Sequence, residues 1–123
     1  MKKYLLHFLI ISFVFLLAPT AHVALHAGEI EDAREEVRNN PDDAEAHYNL
    51  GIAYSKLGKY KEAIESFKQA IRINPDFADA HFNLGLAYVL SNDRASALEQ
   101  YEILKSLDPD PEMANVLFNE INK

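Results

Sequence analysis

The chain has 123 residues, a formal net charge of −7 and no cysteine, which excludes disulfides, cysteine-ligated zinc, a thiol nucleophile and a lipid-modified N-terminal cysteine. Residues 28–123 carry 10 Lys+Arg against 19 Asp+Glu, a net of −9, and the basic residues are scattered singly, so a nucleic-acid partner is not expected. The size allows one small domain once any targeting segment is set aside.

The first element, residues 1–27, reads MKKYLLHFLIISFVFLLAPTAHVALHA. Two lysines precede an apolar run, and Pro19 and a set of small residues follow it, the layout of a secretory signal peptide. The run Tyr4–Leu17 is 14 residues, short of the ~20 that cross a bilayer. The best cleavage point is Leu25-His26-Ala27 before Gly28, with a large residue at the outer recognition position. Two outcomes fit: a cleaved signal peptide, or an N-terminal membrane anchor using residues 4–27. Either exports the domain, with a bacterial periplasm as the expected compartment and membrane contact only through this segment.

Residues 28–43 follow. Ile30, Ala33 and Val37 form a thin apolar stripe in an otherwise charged segment, which suits a capping helix over the open end of a stack. Next come two units of 34 residues in one register, residues 44–77 and 78–111, with HYNLGIAY and HFNLGLAY at matching places. In the first unit Leu50, Ala53, Tyr54 and Leu57 make one helical stripe, and Ala63, Ile64, Phe67, Ala70 and Ile71 make a second. Gly58 separates the two helices, and Pro75 stops the second, since proline cannot continue a helix. In the second unit Asn92 stands where Gly58 stood and tolerates the same left-handed backbone. Gly51 and Gly85 lie mid-helix at a cost of ~1 kcal/mol against alanine, so close packing is expected there, against Ala63 and Ala97. Asp110-Pro111-Glu112 reads as a helix start. Residues 112–123 then form a closing helix, because Asn119 falls where the glycines stood and Leu104 replaces the small Ala70.

The spacing His47-x2-Leu50-Gly51-x2-Tyr54, Ala63-x3-Phe67, Pro75, repeated at His81, Leu84, Gly85, Tyr88, Ala97, Tyr101 and Pro109, resembles the tetratricopeptide repeat. Both copies depart from its pattern by placing histidine where tryptophan is usual. The resemblance implies an all-α fold, a right-handed superhelical solenoid of helical hairpins with six short helices. It also implies a protein–protein interaction module that binds a protein or peptide partner on its concave face. By repeat register that face holds Tyr48, Asn49, Ile52, Lys56, Phe82, Asn83, Leu86 and Val89. The asparagines are placed to bond a peptide backbone, and the apolar side chains to form a floor. The same apolar floor would serve self-association as a homo-oligomer, the alternative reading. The clamp by which some members of the family grip C-terminal carboxylates is not expected, because Tyr48 and Ile52 stand at the places of its lysine and asparagine.

His47 and His81 are the only histidines after residue 27, and they are expected to fill the repeat's large aromatic position rather than bind metal, which would need further ligands. Glycine-rich phosphate loops, activated serines and H-E-x-x-H are absent, so neither an enzyme nor a cofactor is expected.

Overall fold

A computed structural model describes residues 23–107 and 111–123. The apolar run Tyr4–Leu17, with the signal or anchor expected of it, lies outside the described residues, as do Pro109 and Asp110. Six helices follow one another: α1 over 23–39, α2 Ala44–Lys56, α3 Tyr60–Ile73, α4 Ala78–Leu90, α5 Arg94–Leu107 and α6 Glu112–Ile121. α2 and α4 each have 13 residues, α3 and α5 each have 14, and each later helix begins 34 positions after its counterpart. No described helix is long and apolar enough to cross a membrane.

The turn inside each hairpin shows how local chemistry sets this register. Gly58 has φ 70° and Asn92 has φ 61°, so both adopt the left-handed conformation expected of them. Around Gly58, the Lys59 N–H donates to the Tyr54 carbonyl and the Gly58 N–H to Ser55. Around Asn92, the Asp93 N–H donates to Tyr88 and the Asn92 N–H to Val89. These paired bonds satisfy carbonyls that a helix end otherwise leaves open. Helix starts are less uniform. Asp43 caps α2 by accepting from the Glu45 N–H at 3.0 Å, whereas its counterpart Phe77 makes no such bond and instead lays its ring against Tyr48, with centroids 5.0 Å apart.

The helices stack as hairpins. α2 packs on α3, α3 on α4, α4 on α5 and α5 on α6. α2 also approaches α4, and α4 approaches α6, while α3 and α5 make no close approach. The layer of α2, α4 and α6 is therefore the compressed, inner side of the curve. One core cluster joins Ile30 and Ala33 of α1 to Leu50, Ala53, Tyr54, Phe67, Leu84 and neighbours. A second joins Ala97 and Leu104 of α5 to Ala114, Leu117 and Ile121 of α6, and Tyr88 touches both. Of residues 28–43, Ile30 and Ala33 enter the first cluster and Val37 packs against it; α1 itself runs across the Ala27–Gly28 junction.

The glycines pack differently from expectation. A Cβ on Gly51 would lie 2.5 Å from the Phe67 ring, and one on Gly85 would lie 2.5 Å from a Leu117 methyl. The nearest neighbours are thus Phe67 and Leu117, not Ala63 and Ala97. Each glycine admits a large side chain, where the sequence reading paired two small ones.

Candidate partner-binding groove

The structure divides the eight concave-face residues into three groups. Tyr48 and Asn83 are bound to each other: the Asn83 amide donates to the Tyr48 hydroxyl at 3.0 Å and to the Asp79 carbonyl at 3.0 Å. Both amide hydrogens are used. The Tyr48 ring is half-buried, tilted against Phe67 at 5.8 Å as well as against Phe77. Burial, then the nearby carboxylates of Asp79 and Glu45, hold its hydroxyl above the usual phenol range. These two side chains tie α2 to α4.

Phe82, Leu86 and Val89 form the second group. They are half-buried and pack against the cluster that α6 completes through Ala114, Leu117 and Ile121. α6 covers part of the apolar floor that the repeat register assigns to a partner. Truncating these side chains would loosen the core.

Asn49, Ile52 and Lys56 form the third group, and they line an open groove of about 370 Å³ between α2 and α1. Ala53 and Ala33 stand beneath it, while Glu29, Asp32 and Glu36 supply the α1 wall. Lys56 Nζ donates to Glu29 Oε2 at 2.9 Å. That ammonium, and after it the His26 ring, holds the Glu29 carboxyl below the usual carboxylate range. The Asn49 amide makes no hydrogen bond among the described residues, unlike its counterpart Asn83.

The sequence reading did not include the acidic wall. Its signal was present: Glu29, Asp32 and Glu36 have the spacing of Ile30, Ala33 and Val37, one residue ahead. An acidic stripe therefore flanks the apolar one that docks α1. Also missed were two contacts that repeat at the same offset. Arg34 donates through Nε and Nη2 to the Tyr54 hydroxyl at 3.1 and 3.0 Å. Lys68, 34 positions on, lies beside Tyr88, which together with Glu65 raises its pKa. A basic side chain on one helix thus meets the signature tyrosine of the next unit twice.

His47 and His81 are tethers to the loop before their own helices. His47 Nε2 lies 2.8 Å from the Pro41 carbonyl and His81 Nε2 lies 2.7 Å from the Pro75 carbonyl. Since a carbonyl only accepts, Nε2 carries the proton in both. His81 is buried, and its Nδ1 lies 2.8 Å from Gln100 Oε1; with the proton on Nε2 this nitrogen accepts, so the bond requires the Gln100 amide to turn its NH2 toward the ring. No group of three or more His, Asp or Glu among the described residues is placed to share a metal ion.

Tetratricopeptide repeat models match residues 15–39, 36–65 and 79–111, and a TPR repeat model matches residues 53–92. No curated protein matches the chain. Among solved structures, the second TPR domain of human RPAP3, in complex with the HSP70 peptide SGPTIEEVD, is 26% identical with a TM-score of 0.72, covering 76% of this chain and 78% of that one. The crystal structure of MamA is 26% identical with a TM-score of 0.66, covering 81% and 68% respectively. The TPR2B domain of yeast Sti1, in its complex with pHsp70, shares the fold at 23% identity and a TM-score of 0.75, covering 80% and 84%.

Proposed function

The chain belongs to the tetratricopeptide repeat family, and on that footing we propose that it is an interaction module whose α1–α2 groove holds a segment of a partner protein. The single observation that carries this reading is the groove itself. It has an apolar base, and the Asn49 amide beside it is unused by the fold, offering one acceptor and two donors to a peptide backbone. The peptide bound by the RPAP3 domain supports the general role. It does not supply the partner's chemistry, since Tyr48 and Ile52 stand where the family's carboxylate clamp would be.

A photo-cross-linking amino acid at position 49 or 52 tests this. The expected result is one adduct of defined extra mass in cells, absent when the same group replaces the exposed Glu65 on α3. An adduct of twice the chain's own mass would favour the self-associating alternative. Adducts of equal yield at positions 49 and 65 would count against the groove.

The setting belongs to the same proposal: an exported module of a bacterial envelope or export assembly, held in the periplasm or anchored to the inner membrane by residues 4–27. The charged start and apolar run of that segment support it. Mass spectrometry of the mature N-terminus, with cell fractionation, checks the point. A start at Gly28 means cleavage, an intact chain in the membrane fraction means an anchor, and recovery in the cytosol would refute export.

A further inference from the structure

We infer that the α1–α2 groove selects a basic partner segment, one that sets a lysine or arginine against Asp32 and Glu36 and an apolar neighbour on Ile52. This rests on the groove being the peptide site and adds what it recognises. Three carboxylates, Glu29, Asp32 and Glu36, face one ammonium, Lys56. Lys56 is already engaged with Glu29. Asp32 and Glu36 are exposed, and their carboxylates make no ion pair or hydrogen bond among the described residues. They stand four positions apart on one helix, where side chains are ~6 Å apart and like charges repel. A single cation between them relieves that repulsion.

The surroundings strengthen the effect. Buried Ala33 and Ala53 and half-buried Ile52 form an apolar wall behind the carboxylates, and such walls focus a field into the groove. The cation inferred for this place is one carried on a flexible side chain of the partner segment. Beside the charge, Asn49 can bond the backbone of that segment and Ile52 can take an apolar residue next to the basic one. Phosphate, carboxylate and anionic lipid would all meet repulsion.

Calorimetric titration of the full chain in a mild nonionic detergent tests this with two acetylated, amidated peptides, GSLRVKLG and its charge-swapped twin GSLEVELG. The basic peptide should bind, with an affinity that falls as salt is raised, and the acidic twin should not. Asp32→Asn with Glu36→Gln should weaken the basic peptide about tenfold, the equivalent of two partly desolvated ion pairs. Both positions are exposed, so helicity should be unchanged. Asn49→Ala should weaken the peptide without altering the salt dependence. Equal binding of the two peptides, or a basic peptide indifferent to the double substitution, would overturn the inference while leaving a peptide groove in place. Failure of both peptides to bind would overturn it too, and the cross-linking yield at position 49 then judges the interaction module separately.

Discussion

Gly51 and Gly85 hold one place in the repeat, yet they face different obstacles. At Gly51 the obstacle is a fully buried aromatic ring, three atoms of which would lie 2.5–2.9 Å from an added Cβ. At Gly85 it is the far end of a leucine, which can turn a methyl aside. Alanine would gain ~1 kcal/mol of helix propensity at either site, against an overpacking cost of ~1–3 kcal/mol. The expected outcome in urea unfolding is a clear loss of stability for Gly51→Ala, ~1–2 kcal/mol net, and a smaller loss or none for Gly85→Ala. The histidines differ in the same way. His81→Ala strands the buried Gln100 amide, at a cost of ~1–3 kcal/mol. His47→Ala releases only a loop carbonyl that water can reach, and should cost under ~1 kcal/mol. Equal losses would mean that filling the aromatic place, rather than the hydrogen bond to Gln100, is what His81 contributes.

Elements begin and end where the 34-residue register places them, and the caps carry part of that definition. Asp93 accepts from the Ser96 hydroxyl at 2.7 Å and from the Ser96 N–H at 3.1 Å, in the first turn of α5. These bonds lower its pKa below the ordinary 3.8. A carboxylate depressed in the folded state contributes stability that is complete above its unfolded value and is lost as pH falls through the folded value. Acid titration of the wild type should therefore show a loss below pH about 4. Asp93→Asn, which caps without titrating, should lack that part of it. The turns were legible because they rest on residues adjacent in sequence: Gly58, Asn92, Pro75. The glycine contacts were not, since which side chain crosses a glycine depends on how two helices are rotated against each other. The inner face was legible in part. Repeat register placed Asn49, Ile52 and Lys56 on the groove, but only the docking of α6 decides that Phe82, Leu86 and Val89 are partly covered. Only the Asn83 bond to Tyr48 shows that this pair is engaged within the fold.

At the scale of the molecule the chain is a row of neighbours. Arg34 reaches Tyr54, Lys68 lies beside Tyr88, and Gly85 receives Leu117, so each unit is joined to the next. Stability in such a row approximates a sum of unit and nearest-neighbour terms. Leu117 tests whether this holds for so short a stack. It is fully buried with Leu104 beneath α6, so Leu117→Ala should cost ~2–5 kcal/mol locally. If the units are coupled only through their interfaces, hydrogen exchange should quicken in α4, α5 and α6 and stay slow in α2 and α3, whose cluster is centred on Phe67. The groove lies at that protected end, so binding to it should survive the substitution. Uniform loss of protection in all the helices would mean instead that Tyr88, which touches both clusters, couples them into one cooperative unit. In that case α6, remote from the groove, would be needed to hold the groove in shape.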